Sequence, residues 1–244
     1  MNPEKLLNTL FKVAVSKAQP KECIPPFLKK KQFSGRTIVL GAGKASANMA
    51  QVVEKHLSGN IEGLIVTRYN HSVPCMKIDV FEAGHPVPDR NGMVAASRML
   101  KIASGLKEND TVLCLISGGG SSLLSLPAPG ICLEHKQEIT SELLKSGATI
   151  HEINTVRKHL SAIKGGRLAI ACYPAKIITF LISDVSGDDI GVIASGPTVG
   201  DVSTFSDAIN VLKKYKITKP KTVVNYLNNG SDETPKPGDF RLEN

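Results

Sequence analysis

The stretch of this sequence with the clearest chemical potential is a run of three glycines between serines, directly after the apolar residues 111–116. Glycine has no Cβ and readily adopts positive φ, so successive backbone N–H groups can turn toward one ligand. Phosphate oxygens need several such donors, and a helix N-terminus just beyond would favour their charge. A flexible linker is the alternative, but apolar residues on both sides disfavour it. The predicted anion-binding stretch, here called the triglycine loop, is Ser117, Gly118, Gly119, Gly120, Ser121 and Ser122.

A second glycine-containing loop, residues 41–46, follows another short apolar run, and we call it the lysine loop. Gly41, Gly43 and Ser46 come close to the dinucleotide-binding fingerprint, which is weak evidence when it stands alone. An NAD site would also need a carboxylate near the end of the next strand, where Arg68 stands instead and could face an NADP 2′-phosphate. Lys44 is more informative, because a lysine in a glycine loop can bridge phosphate oxygens. A solvated lysine is the alternative, although a cation is disfavoured at a helix start.

Other candidate site residues lie in a proline-stiffened loop and in a basic segment. His85, within residues 84–89, could orient a substrate hydroxyl or act as a base, or could be an ordinary polar loop residue. Asn154 and Arg157 lie in a predicted helix over residues 154–163, and Lys164 follows it. We expect these three to bind phosphate or carboxylate. The alternatives are a helix N-cap for Asn154 and an exposed basic face for the cations.

Carboxylates cluster in residues 183–189, after an apolar run that predicts a strand. Hard oxygen ligands on a short turn suit Mg²⁺, which keeps several waters and bridges substrate phosphates. Turn chemistry alone also favours Asp and Gly, and it is the competing explanation. We expect Asp184 and Asp189 to be metal ligands.

The elements that must position these loops alternate between strand-like and helix-like patterns along the chain. This alternation predicts an α/β fold, a doubly wound, mostly parallel sheet with helices on both faces, which is Rossmann-like. Carboxyl ends of parallel strands share one edge of the sheet, where ligands bind. We expect residues 1–225 to form this domain and the polar residues 226–244 to be a linker or tail toward a further domain that is absent. The predicted strands are 37–40, 63–67, 77–83, 111–116 and 176–182.

Composition narrows the class of protein. The chain has 244 residues, 41% hydrophobic, enough for a substantial core. Its net charge of +8 raises nucleic acid as a partner, but the lysines are scattered and aromatic residues make up only 5%, so we expect none. We also expect no membrane span and no signal peptide. Five cysteines without a Cys-x-x-Cys pair predict reduced thiols and a cytoplasmic protein, and a homodimer is compatible with the sequence.

Taken together, the motifs resemble those of glycerate 2-kinases of the MOFRL-containing class, in the same order along the chain and over residues 3–225. The resemblance implies ATP-dependent, Mg²⁺-assisted phosphorylation of D-glycerate at its 2-hydroxyl, giving 2-phosphoglycerate. It also implies a catalytic role for Lys44, with the other candidate residues lining the nucleotide and substrate site. The motifs are residues 41–46, 84–89, 117–123, 153–160 with 164–166, and 182–189 with 194–199.

Two other functions stay open on the sequence. An NAD(P)H-dependent hydroxypyruvate reductase has Arg68 as its best support, and some proteins resembling this family carry that label. A non-catalytic sugar-acid-binding module is the other alternative, because the resembled kinases carry a smaller second domain and place the active site between the two.

Overall fold

A computed structural model describes residues 2–30, 33, 35–230 and 232–243. Ser231 and Asn244, both in the predicted tail, lie outside the described residues, as does Met1. The strands are β1 Thr37–Ala42, β2 Ile61–Arg68, β3 Ile78–Ala83, β4 Thr111–Ser117 and β5 Lys176–Ile182. The helices are α1 Pro3–Lys17, α2 Pro20–Cys23, α3 Pro25–Leu28, α4 Ser46–His56, α5 Arg90–Ala103, α6 Gly120–Leu123, α7 Leu133–Lys145, α8 Ile150–His159, α9 Arg167–Cys172, α10 Phe205–Lys214 and α11 Lys221–Asn228.

The strands form one parallel sheet in the order β3-β2-β1-β4-β5. The order runs outward in both directions from the central pair, β1 and β4, so their carboxyl ends form the switch point of the sheet. The predicted doubly wound α/β fold is confirmed.

Both faces of the sheet are covered because the central strands are apolar on both sides. On one face, Leu40 and Cys114 pack with Ala96 and Met99 of α5 and with Leu168 of α9. The other face carries Val39 and Leu115 against α4, α2 and α3. None of the described helices is both long and apolar enough to cross a membrane.

A third apolar cluster joins α7, α8, α10 and α11 beside the sheet. Here the sequence-based helix boundary was wrong. The helix predicted over residues 154–163 begins four residues earlier, because Thr149 and Glu152 form a capping box at the start of α8. Asn154 therefore lies inside the helix and is not its N-cap.

The segment after α11 packs against this helical cluster. Glu233 accepts a hydrogen bond from the Phe205 amide and lies 2.7 Å from His159 Nε2, while Thr234 is buried and donates to Asp201. Whether residues 226–244 serve as a linker between domains stays a prediction.

The two central strands are in close backbone contact at Gly41, whose register partner on β4 is Leu115. A Cβ at Gly41 would overlap the Leu115 carbonyl oxygen. We expect Gly41→Ala to lower the free energy of unfolding by about 1–3 kcal/mol, because the backbone of β4 has to shift. Chemical denaturation measures this difference. Gly105→Ala is the matched control, since a Cβ there would meet only the Ile102 carbonyl oxygen, at 3.7 Å. Equal stability of the two variants would contradict the expectation.

Candidate functional site

The lysine loop and the triglycine loop meet at the switch point between β1 and β4. The Lys44 amide donates to the Gly118 carbonyl oxygen at 2.9 Å, and the Ala45 amide donates to Ser117 Oγ at 2.9 Å. Gly43 adopts φ +147°, and a Cβ there would overlap Ser117 Oγ. The two loops therefore hold each other in place through backbone contacts that a side chain at Gly43 would block.

Three of the predicted site residues serve this packing and face the protein interior. Gly41 lies within β1, and Ser46 and Ser117 are buried. Ser46 Oγ donates to the Leu115 carbonyl oxygen at 3.0 Å and lies 3.4 Å from Ser117 Oγ. The hydroxyls of these two serines form hydrogen bonds with protein groups in the interior and so help to hold the two loops in place.

Two glycines of the triglycine loop, Gly118 and Gly119, let three candidate side chains come close to its backbone. A Cβ at Gly118 would overlap the Asp184 carboxylate, and a Cβ at Gly119 would lie 2.8 Å from His85 Cδ2. Gly119 adopts φ +88°, a conformation that glycine takes at little cost. Lys44 Nζ lies 3.9 Å from Asp184 Oδ2, and both side chains are substantially exposed. The structure thus brings Lys44, His85 and Asp184 around the triglycine loop.

Backbone donors complete this side of the site. Among the described residues, no acceptor is found for the amides of Gly119, Gly120 and Ser121. The Gly120 backbone also lies close to the Ala42 carbonyl oxygen. A Cβ at Gly120 would lie 2.9 Å from that oxygen. Amides without partners beside a lysine ammonium can bind an anion with several oxygens.

The charge on His85 is set by its surroundings. Burial lowers the pKa of its imidazole below the ordinary value, and the nearby cations Lys44 and Arg68 lower it further. The imidazole is therefore neutral at pH 7 and has one donor and one acceptor nitrogen. Arg68 lies at the carboxyl end of β2, and its buried Nε has no hydrogen-bond partner among the described residues.

A buried hydroxyl chain connects the triglycine loop to α8. Ser121 Oγ lies 2.8 Å from Ser195 Oγ, which donates to Asn154 Oδ1 at 3.0 Å. Ala194 and Ser195 adopt φ +52° and +62°, which is costly for residues with a Cβ. Ser195 was not predicted from the sequence as a site residue. Its position in the motif over residues 194–199 was the available signal.

Ser122 has a local role. Its Oγ donates to the Gly119 carbonyl oxygen at 3.0 Å, within the triglycine loop itself. The serine hydroxyls of this loop are therefore used by the protein, and its backbone amides are the groups left for a ligand.

Behind α6 lies a group of three basic side chains, here called the cation cluster: the buried Lys136 and Lys164 and the half-buried Arg157. Lys164 is 2% exposed and donates to the Leu124 carbonyl oxygen, at the C-terminal end of α6. Lys136 is 7% exposed, with Nζ 3.4 Å from the Leu126 carbonyl oxygen. None of the three forms an ion pair with a carboxylate of the described residues.

Burial and mutual repulsion dominate the electrostatics of this cluster. Burial lowers the pKa of Lys164 well below its ordinary value, with further lowering by Lys136 and Arg157. The pKa of Lys136 falls to about 7, first through burial and then through the charge of Arg157. Removing a cation from water without a counter-ion is costly, and these shifts express that cost.

Lys136 was not predicted from the sequence either, although a signal existed. In α7 the buried positions Leu133, Lys136, Ile139 and Leu143 recur at helical spacing. A lysine on the apolar stripe of an amphipathic helix is an exception that can be recognised from the residue pattern alone.

The predicted metal ligands differ in their surroundings. Asp184 faces Gly118 and Lys44 at the edge of the sheet. Asp189 Oδ1 accepts the Gly191 amide at 2.8 Å, so this carboxylate stabilises its own turn. No group of three or more His, Cys, Asp or Glu side chains that could hold a metal occurs among the described residues.

Fold and site together define a Rossmann-like α/β domain whose two glycine loops meet at the switch point of its parallel sheet. The chain belongs to the DUF4147 family, a domain of unknown function whose family model matches residues 6–228.

Named relatives refine this assignment. A D-glycerate 2-kinase of Thermotoga maritima is 46% identical over 235 residues, which cover 96% of this chain and 55% of that protein. A protein of Agrobacterium vitis is provisionally named as a hydroxypyruvate reductase. It is 47% identical over 244 residues, which cover 100% of this chain and 55% of that protein. A crystal structure of a Thermotoga maritima glycerate kinase has a TM-score of 0.87 at 45% identity and covers 96% of this chain and 57% of that one.

These matches confirm the resemblance to glycerate 2-kinases and the α/β fold. The chain spans about half the length of the curated relatives it matches.

The cation cluster predicts a specific pH dependence of stability. Because the pKa of Lys136 is about 7 in the folded protein and higher in the unfolded chain, the unfolded chain binds more protons above pH 7. Stability therefore rises with pH from about 7 toward the ordinary lysine value, by about 1 kcal/mol per pH unit for such a group. Lys136→Met should be more stable than wild type at pH 7 and show a smaller rise, measured by urea denaturation at pH 7, 8 and 9.

The exposed Lys145, at the end of the same helix, provides the control. Lys145→Met should follow the wild-type pH profile. A Lys136→Met variant that is less stable than wild type at pH 7 would contradict the assignment of an unpaired buried cation.

Proposed function

We propose that this chain supplies the phosphate-binding site of a glycerate 2-kinase, which transfers the γ-phosphoryl group of ATP to the 2-hydroxyl of D-glycerate. The observation that carries the proposal is the position of Lys44 at the switch point, 3.9 Å from Asp184 and against the triglycine loop. The name of the Thermotoga maritima relative supports the substrate. ATP and Mg²⁺ as cofactors, D-glycerate as the small-molecule substrate and a cytoplasmic location all belong to this proposal.

Phosphoryl transfer depends mainly on positioning and on cations that offset charge on the phosphoryl oxygens. The bond from the γ-phosphorus to its bridging oxygen breaks, a bond to the substrate 2-oxygen forms, and the hydroxyl loses its proton. In our proposal the Lys44 ammonium and the amides of Gly119 and Gly120 bind the phosphoryl oxygens. Neutral His85 has a nitrogen available to accept the hydroxyl proton.

Asp184 is the carboxylate that fits a magnesium ion. Mg²⁺ sites in kinases use one or two carboxylates together with substrate phosphates and water. Asp184 is exposed beside the loop that would hold those phosphates, whereas the Asp189 carboxylate is occupied by the Gly191 amide. When bound, the ion would offset negative charge on the phosphates.

Titration calorimetry of this chain with Mg²⁺-ATP tests the proposal. We expect wild type to bind and Lys44→Ala to lose about 10- to 100-fold in affinity, because a charge-assisted contact to phosphate is removed. Lys55→Ala is the control, since this exposed lysine of α4 donates to Gln51 one turn earlier in the same helix. If Lys44→Ala binds Mg²⁺-ATP as tightly as wild type, the lysine does not hold the nucleotide and the proposal is wrong.

Reduction of hydroxypyruvate by NAD(P)H is a second candidate, supported by the name of the Agrobacterium vitis relative and by the unpartnered Nε of Arg68 at the end of β2. A fluorescence titration with NADPH tests it. Under the kinase proposal we expect no saturable binding that depends on Arg68. Binding by wild type that is lost in Arg68→Ala would favour the reductase.

A further inference from the structure

A buried histidine joins α8 to the segment that follows α11. His159 is the last residue of α8 and is 0% exposed, and the uncharged Phe205 ring of α10 packs against it with ring centroids 4.9 Å apart. Its Nε2 lies 2.7 Å from Glu233 Oε1, and its Nδ1 lies 2.7 Å from the Thr155 carbonyl oxygen. Both ring nitrogens therefore face an oxygen at hydrogen-bond distance.

The two oxygens determine how many protons the imidazole carries. A carbonyl oxygen can only accept, so Nδ1 of His159 carries a proton. An ionised carboxylate can only accept as well, so Nε2 also needs a proton if Glu233 is ionised. A neutral imidazole would instead present a lone pair to this carboxylate at 2.7 Å, which is repulsive. The protonation state of Glu233 therefore decides that of His159.

The surroundings of Glu233 keep its carboxylate ionised. Burial opposes ionisation, but hydrogen bonds from the Phe205 and Thr234 amides, together with the charge of His159, lower its pKa to about 2. The Phe205 amide donates to Oε2 at 3.0 Å, and the Thr234 amide donates to Oε1 at 2.9 Å. Lys236 Nζ lies 3.3 Å from Oε1 as well. Because the carboxylate is ionised at pH 7, both nitrogens of the imidazole carry protons and the histidine is an imidazolium.

The other charged groups around this contact have partners of their own. Lys158, the next residue toward the start of α8, pairs with Asp201 at 3.1 Å. Arg167 pairs with Asp232 at 2.6 Å. Lysine, arginine and aspartate in ion pairs keep their charges across the neutral pH range, whereas histidine ordinarily titrates within it. His159 is therefore the group of this set that can lose a proton near neutral pH.

The histidine contact helps to hold one wall of a cleft. Thr234 Oγ1 donates to Asp201 Oδ2 at 3.1 Å, and the Asp201 amide donates to the Pro235 carbonyl oxygen at 2.8 Å. Asp201 and Pro237 line a cleft of about 550 Å³, which Asn154 of α8 lines as well. The segment that carries the carboxylate thus connects the buried imidazole to the cleft wall.

We infer that His159 is a proton-dependent latch, whose imidazolium holds residues 233–236 on the helical cluster and thereby fixes the wall of the cleft beside Asn154. As pH rises, the imidazole loses its Nε2 proton, and attraction to Glu233 becomes repulsion between a lone pair and a carboxylate. Residues 233–236 then loosen, and the cleft wall loosens with them. The latch requires no ligand, so it stands independently of the proposed function.

NMR spectra that report imidazole nitrogens test the protonation state in the full chain. We expect both ring nitrogens of His159 to be protonated at pH 7, where an ordinary histidine is mostly neutral. In Glu233→Gln the imidazole should have lost one of these protons at pH 7, because a carboxamide does not attract an imidazolium as a carboxylate does. A neutral His159 in wild type at pH 7 would overturn the inference.

Hydrogen exchange tests whether the proton holds the segment. The amides of Asp201, Phe205 and Thr234 report on the latch, because all three donate to residues of that segment. We expect their protection factors, which are corrected for the intrinsic pH dependence of exchange, to fall about 10- to 100-fold between pH 6 and pH 9. The reason is that a hydrogen bond between charged groups is lost.

Two histidine variants assign this change to its source. His159→Gln removes the titrating group, so its protection factors should not change between pH 6 and pH 9. His56→Gln is the matched control and should follow wild type. The Nδ1 of His56 lies 2.9 Å from the Val52 carbonyl oxygen one turn earlier in α4, but this histidine has no ion pair with a carboxylate of the described residues.

A fall in protection of wild-type size in His159→Gln would overturn the inference, and so would wild-type protection that is equal at pH 6 and pH 9. If His159→Gln does not fold, the ring-nitrogen spectra of wild type and Glu233→Gln still decide. Retention of both His159 protons at pH 7 in Glu233→Gln would show that the carboxylate does not hold the imidazolium, which also contradicts the latch.

Discussion

Close backbone contact between the carboxyl ends of β1 and β4 is the constraint on which the rest of the site depends. The Lys44 amide reaches the Gly118 carbonyl oxygen only because Gly43 has no Cβ that would collide with Ser117. The absence of a Cβ at Gly118 and Gly119 likewise brings Asp184 and His85 against the loop. Glycine costs conformational entropy on folding. In return, the missing side chains leave room for a cation, an imidazole and a carboxylate in one small volume. The parallel sheet contributes by directing both loops to its switch point.

Features that cost stability lie on the other side of α6. Lys136 and Lys164 are removed from water without a carboxylate partner among the described residues, and Ala194 and Ser195 adopt strained conformations beside α6. Such features persist only where packing elsewhere offsets their cost. Here the two apolar layers of the sheet and the third cluster of α7, α8, α10 and α11 supply that packing.

Sequence patterns predicted the strands, the two glycine loops and the sheet edge where the candidate side chains meet. They were less successful where a role depends on a distant partner. A helix cap was one interpretation of Asn154, but Thr149 and Glu152 start the helix earlier, and Asn154 instead accepts a hydrogen bond from Ser195. Ser46 and Ser117 were expected to bind ligand, yet their hydroxyls bond to the protein beneath the loops. A serine in a glycine loop looks the same in sequence whether it faces a ligand or the core.

The sequence by itself determined the alternation of strands and helices and the placement of Lys44 and three glycines directly after buried strands, because these features depend on residues close together in the chain. Only the tertiary structure decided which polar groups are buried and what they meet. The helical spacing of α7 marks Lys136 as an exception, but Lys136 and Lys164 are 28 positions apart in numbering, and nothing near either in sequence shows that both lie behind α6 without a counter-ion. Burial and charge pairing depend on residues that are distant in the chain, so the desolvation of these two lysines is decided only in the folded structure.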